Sequence, residues 1–482
     1  MGAKIAAAAI AIGVGVACAF FTPLGYVIAA VAGLCLATLA VERLAVAIFW
    51  VLPYMIVAVP TGVFTLKAPE LTMYAFALAA TLRAILRKDK WILPPATPQV
   101  LVFLAVCLIS TAFEPNTAIP FYGNVKPQDR NAPGFRSISE IMWMAIGWLV
   151  VVALYNIINK RRDLFRRCVI AHCYGGGIAS IISVVLLVCS LLGLHLDIVT
   201  GGGRERSATS SGSLFRLSGV AYEPLFLAFY LATVIPTTLV VFLFRSEWAS
   251  RKLLRAALLW QCIVMFLTFS AGGMLGLVFS ILIVAALLAS SVPTSLWRKM
   301  RTVGIVTIVV GGTAFVAIQG LIAQVESVFS KVLDPEESSR AVEWTTGLAE
   351  FTAYPILGVG PGMSTYQWPR FSPQSHSQSI GGVRNVNDIV LSTLAETGII
   401  GLIAVLVCVV AGLKPYIDTI ARYGPARVPI LVALTASLVG CAVQTLSMPL
   451  ETLSLFYLSA TIALSAVAYR VEPMVSVSGE TA

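Results

Sequence analysis

Apolar runs of roughly 17–25 residues, the length of a membrane helix, recur along the chain, centred near residues 13, 32, 55, 78, 105, 148, 180, 232, 262, 282, 312, 405, 437 and 459. The pattern predicts an all-α polytopic membrane protein with about fourteen transmembrane helices. Residues 1–323 carry helices 1–11, with outer loops near 114–137 and 195–219, and residues 397–470 carry helices 12–14. Residues 471–482 read as a cytoplasmic tail, and residues 324–396 form a long polar interruption between helices 11 and 12. Within it, Asp334-Pro335-Glu336-Glu337 is a helix start, with a capping Asp, Pro in the first turn and acids near the helix N-terminus. Ala341, Trp344, Leu348 and Phe351 then share one apolar face, and Tyr354-Pro355 stops the helix. The loop is therefore expected to contain an amphipathic helix, lying against the spans or at the membrane interface.

Composition agrees with the pattern. The chain of 482 residues is 58% hydrophobic and 12% charged, with mean hydropathy +0.89, whereas soluble domains carry about 25% charged residues. The run after Lys4 has signal-peptide character but no A-x-A-like site, so a retained span is expected.

Alternate connections hold 22 of the 33 basic residues, among them Arg83, Arg87, Lys88, Lys90, Lys160–Arg162, Arg245, Arg251 and Lys414. By the positive-inside tendency these connections are cytoplasmic, as are both termini, and the long loop is outside. The net charge of +10 is thus mainly a topology signal and gives no reason to invoke nucleic acid. All nine cysteines lie in or beside apolar runs and lack metal-ligand spacing. The two halves show no repeat, which argues against an inverted-repeat transporter.

The outer basic residues run against the charge rule. Arg204, Arg206 and Arg216 share one outer loop; Arg340, Arg370 and Arg384 share another. Guanidinium groups bind phosphate through planar, bidentate contacts, so a lipid-linked diphosphate suits them; neutralising loop acids or lipid headgroups is the plainer role. Gly358, Gly360 and Gly362 in Gly-Val-Gly-Pro-Gly form either a backbone nest for an anion or a simple tight turn. His376 is a candidate general base or a surface histidine. Asp388 is a second candidate base, or a first-turn acid behind Asn387 as N-cap. Glu223, at the outer end of a span, is an ionisable group at a depth where such groups tend to be functional.

Three stretches taken in order resemble the bacterial O-antigen ligase and O-antigen polymerase family. These are Arg216-Leu-Ser-Gly219 with Glu223-Pro224; Arg340 with Trp344 and then Pro355-Ile-Leu-Gly358-Val-Gly360-Pro-Gly362; and Leu391-Ser-Thr-Leu394-Ala-Glu396-Thr-Gly398-Ile-Ile-Gly401-Leu402. Family members commonly carry His-Asn where this chain has Asn387-Asp388, a departure that argues against a ligase.

The resemblance implies a glycosyltransferase of the bacterial inner membrane, its active site facing the periplasm. It would polymerise O-antigen or exopolysaccharide repeats without metal or other cofactor. Donor and acceptor are both glycans on undecaprenyl diphosphate, and a chain-length regulator is a possible partner. Arg216 and Arg340 would hold the diphosphate and Asp388 or His376 would take the proton. Arg204, Arg206, Glu223, the three glycines, Arg384, Asn387 and Glu396 would line or brace the substrate site. The competing readings are a ligase acting on lipid A core or protein, and a polytopic transporter or lipid-linked oligosaccharide flippase.

Overall fold

The computed structural model describes residues 37–55, 57–60, 65–113, 133–192, 208–211, 214–221, 223–245, 247–291, 339–372, 386, 388–446, 448 and 452–478. The expected spans centred near 13, 32 and 312, and the helix start at Asp334-Pro335, lie outside these residues. Thirteen helices are described: α1 (Val41–Val51), α2 (Ala68–Arg87), α3 (Thr97–Ala112), α4 (Pro133–Ile158), α5 (Arg162–Leu191), α6 (Pro224–Phe244), α7 (Arg251–Leu267), α8 (Ala271–Leu288), α9 (Ser339–Ala353), α10 (Ser364–Phe371), α11 (Ile389–Tyr423), α12 (Pro429–Thr445) and α13 (Thr452–Ser478).

Among the described residues five candidate spans stand out by length and apolarity: Arg136–Ile158, Arg162–Leu191, Pro224–Phe244, Ala271–Leu288 and Ile389–Tyr423. The chain is a multi-pass membrane protein. Its core surrounds α6, which is buried from Phe226 to Thr238 without a break. A helix hydrophobic all round belongs in such a position. It packs against α7, α8, α12 and α13. Close backbone approach is what lets helices associate in lipid. Here α8 and α12 meet at Gly276 and Gly440, where an added Cβ on Gly276 would come within 2.4 Å of the Gly440 carbonyl oxygen. Ser280 Oγ spans the same contact to the Ala436 carbonyl, at 3.0 Å.

Ion pairs gather the basic connections at one end of the bundle. Glu42, in the first turn of α1, meets Arg161 at 2.6 Å and Arg83 at 3.5 Å, and Asp89 meets Lys160 at 2.7 Å. The chain ends of α1, α2, α4 and α5 thus share a face, as the alternation of charge requires.

The structure departs from the sequence pattern in five places. The run centred near 55 is an 11-residue helix ending at Val51, then a turn through Pro53 and the hairpin β1 (Ala58–Pro60)–β2 (Thr65–Lys67). A second antiparallel hairpin, β3 (Ala208–Ser211)–β4 (Leu214–Leu217), lies within the second outer loop, so the fold is not purely helical. The first outer loop ends at Pro133 rather than 137, because α4 begins there and takes in Arg136. The tail expected from 471 is helical to Ser478. Glu472 is buried there and accepts the Ile430 and Leu431 N–H groups at 3.2 and 2.8 Å, capping α12 from outside it.

The fifth departure concerns the loop helix. Of its expected apolar face, Trp344 and Leu348 are exposed rather than packed against the spans, while Val342, Glu343, Thr346 and Glu350 are buried. Helix α9 rests on α10 and α11 through that more polar face.

Candidate functional site

The loop runs into the candidate span Ile389–Tyr423, which is interrupted at Gly398. This residue breaks α11 with φ 65° and ψ −166°, a region that only glycine occupies at little cost. In an unbroken helix the Ala395 and Glu396 carbonyls would accept from Ile399 and Ile400 N–H. Here they accept instead from Val359 N–H and Gly360 N–H, each at 2.9 Å. Ile399 N–H donates to the Pro355 carbonyl at 2.9 Å, and Ile400 N–H reaches Ile356 O at 3.5 Å. The Gly-Val-Gly-Pro-Gly turn thus satisfies the backbone groups that the break releases, a necessity wherever water is scarce.

Gly358, at φ 67°, lies so close that an added Cβ would stand 2.3 Å from the Glu396 carbonyl carbon. Ser110 Oγ of α3 closes the junction, 2.5 Å from Leu357 O and 2.9 Å from Glu396 O, sharing its one proton between them. The amides of Val359 and Gly360 are committed to α11 rather than open to an anion.

Beneath the turn four ionisable side chains meet. Arg136 pairs with Glu140 at 2.8 Å along one face of α4. Gly362 packs on both, since an added Cβ would lie 2.9 Å from Glu140 Cγ and 3.2 Å from Arg136 Cγ. The Gly362 N–H donates to the Glu396 carboxylate, which feels Glu140 and Arg136 as neighbours. Glu350 of α9 is fully buried and accepts from Ser364 Oγ at 2.6 Å. Burial, with the Glu396 charge nearby, pushes the Glu350 carboxyl up to about 8. Arg136 Nε, Glu350 Oε1 and Gln367 Nε2 are buried without a hydrogen-bond partner among the described residues. The three carboxyl groups can exchange protons and, when ionised, accept hydroxyl donors, while the guanidinium keeps its charge and only donates. They form no set of three or more His, Cys, Asp or Glu placed to hold a metal, among the described residues.

The residues singled out from sequence fall in several places. Glu396 and the three glycines are in this junction. Asp388 is the N-cap of α11, its Oδ1 accepting Val390 and Leu391 N–H at 2.8 and 3.0 Å. The cap is thus Asp388 itself and not Asn387, which lies outside the described residues. Arg216 is on β4, where its Nε donates to the Thr268 carbonyl at 3.3 Å at the end of α7. Glu223 is exposed at the N-cap of α6 with no side-chain capping bond. Arg340 is in the first turn of α9. Arg204, Arg206, His376 and Arg384 lie outside the described residues.

Arg136, Glu140, Ser110 and Glu350 were not singled out as site residues. Two signals pointed to them: Glu140 is a carboxylate inside an apolar run, and Pro133 is a helix-start residue that moves Arg136 out of the loop.

A comparison with curated proteins found no match. Residues 256–406 match the family model described as O-antigen ligase. The matched segment runs from α7 into α11 and holds Arg340, the glycine turn, Asp388 and Glu396; Arg216 and Glu223 precede it. Over this segment the chain is similar to the O-antigen ligase family.

Proposed function

We propose that the protein polymerises lipid-linked polysaccharide repeats of the O-antigen or exopolysaccharide type. The observation that carries this is the docked loop: within the family match, a long polar segment folds onto a broken membrane helix and gathers Arg136, Glu140, Glu350 and Glu396 there. Such a junction suits a substrate whose lipid stays in the bilayer while its sugars stay in water. The donor is a glycan on undecaprenyl diphosphate, and the acceptor is the sugar hydroxyl of another lipid-linked repeat. The acceptor oxygen attacks the anomeric carbon, the bond from that carbon to the diphosphate oxygen breaks, and the lipid diphosphate leaves with the electron pair.

Arg216 and Arg340 hold the diphosphate and stabilise the charge it gains. The acceptor proton passes to Asp388 or His376. Asp388 must use Oδ2, because Oδ1 already holds two backbone N–H groups. The enzyme works in the bacterial inner membrane with both termini cytoplasmic and the site facing the periplasm, with a chain-length regulator as a possible partner. Polymerase is favoured over ligase because Asn387-Asp388 replace His-Asn.

The test is a membrane extract supplied only with lipid-linked repeats. A polymerase lengthens them without any other acceptor, whereas a ligase needs lipid A core or protein. Arg216→Ala and Arg340→Ala should each abolish long chains while the protein still inserts. Normal chain ladders from both variants would sink the proposed site.

A further inference from the structure

Helix α9 is amphipathic the wrong way round for a helix in water. Its buried face carries Glu343, Thr346 and Glu350, and its outward face carries Trp344, 49% exposed, and Leu348, 52% exposed. No charged residue lies on the outward arc formed by Trp344, Thr345, Leu348 and Thr352. The apolar surface continues past the helix end to Ile356, 62% exposed.

What adjoins that surface identifies what covers it. Ile356 and Pro355 are joined through their carbonyls to Ile400 and Ile399 N–H, at 3.5 and 2.9 Å. Ile399, Ile400 and Ile403, 41%, 40% and 54% exposed, begin a stripe that continues through Leu406, Val407 and Val410 along a candidate membrane span. From Ile399 to Tyr423 the helix has about 25 residues and is ~37 Å long, enough to cross a hydrocarbon core of ~30 Å. Its exposed apolar residues are left uncovered by the described residues, as a surface that meets lipid would be. Ile356 stands at the end of the same stripe.

We propose that α9 lies in the headgroup layer of the bilayer, with Trp344, Leu348 and Ile356 dipping toward the acyl chains. A tryptophan is favoured at this depth, where its ring is half apolar and its N–H can still reach polar groups. The position of Arg340, one turn before Trp344, is then level with lipid phosphates. The glycine turn and the four ionisable residues beneath it lie at the depth where a lipid-linked diphosphate meets its sugars. The inference rests on the chain being a membrane protein and not on the transfer reaction, so the two can fail separately.

The experiment uses the full-length protein in nanodiscs. Because the chain has nine tryptophans, the emission of Trp344 is taken as the wild-type spectrum minus that of Trp344→Phe. In bilayers brominated near the headgroup end of the acyl chains, this difference emission should be lost, while aqueous iodide should leave it intact. Leu348→Trp in the Trp344→Phe background gives a second reporter one turn away, independent of any effect of the first change. Quenching by iodide would mean the face is in water, and quenching by neither agent would mean protein covers it; either result overturns the proposal.

Discussion

Replacing Gly398 by alanine tests whether the broken helix and the docked turn are one unit. Gly398 has φ 65° and ψ −166°, and holding a non-glycine residue there costs about 1–3 kcal/mol. Space is the larger problem. The new Cβ would lie 2.2 Å from Ile356 O, 2.3 Å from Ile356 C and 2.6 Å from Leu357 N, all backbone atoms. Relief requires the turn to move by about 1 Å, which stretches the bonds from Val359, Gly360 and Ile399 beyond hydrogen-bond range. Each buried group left unpaired costs about 1–3 kcal/mol. With one or two such losses, the total is roughly 2–9 kcal/mol, large against typical stabilities of about 5–15 kcal/mol.

Gly424 supplies the matched control: its φ is 80°, but an added Cβ would meet nothing within 4 Å. Both changes remove the same glycine freedom from the unfolded chain, so their difference isolates the clash and the lost bonds. Purified full-length variants would be unfolded by increasing SDS in mixed micelles, followed by tryptophan fluorescence. Gly398→Ala should unfold well before Gly424→Ala. Equal midpoints, or a later transition for Gly398→Ala, would refute the docking argument.

Other outcomes follow from the same geometry. Because burial raises the Glu350 carboxyl from 4.5 to about 8, the folded chain keeps a proton that the unfolded chain releases. That stabilising contribution is full below 4.5 and lost as pH rises through about 8. The melting difference between wild type and Glu350→Gln should therefore shift against wild type from about pH 5 to about pH 9, and a flat difference would refute the assignment. Asp388→Ala should lose roughly 0.5–2 kcal/mol with the cap. Asp388→Asn keeps an accepting oxygen for the cap, so polymerisation that survives in Asn removes Asp388 as the base. Arg136→Ala leaves Glu140 and Glu396 without their cation and should lower the melting midpoint, with Arg136→Lys recovering part of it; unchanged melting in both would show that the pair does not hold the junction.

The sequence pattern located the long membrane helices and the glycine turn, because both depend on local chemistry: apolar runs of membrane length, Pro355 ending α9, glycines where the backbone must come close. It missed what depends on surroundings. Period 3.6 located the apolar face of α9 through Trp344 and Leu348, but a period does not say which side is outside. In water that face would turn inward; beside lipid it turns out and leaves Glu350 inside. Pro133-Gly134 resembles a connection, although proline also opens helices, and here Arg136 belongs to α4. Its pairing with Glu140 is a local i,i+4 contact, but the approach of Glu396 joins segments more than 250 residues apart in sequence, beyond the reach of local signals. Asn387-Asp388 differed by one position only, since either residue can cap and the backbone decides which.

The exchange of hydrogen bonds at Gly398 constrains where anion recognition can reside. A glycine-rich turn beside a helix end suggests amides directed at phosphate, yet Val359 and Gly360 give their N–H groups to Ala395 and Glu396. Gly362 gives its own to the Glu396 carboxylate. A diphosphate bound at this junction must therefore be neutralised by side chains, and arginine is the side chain able to do so without losing its charge at membrane depth. Arg136 already lies under the turn and Arg340 opens the helix that leads to it. The turn's part is to hold the loop on the membrane helix, so that these charges and the three carboxylates stay at one depth while the lipid moves in and out beside them.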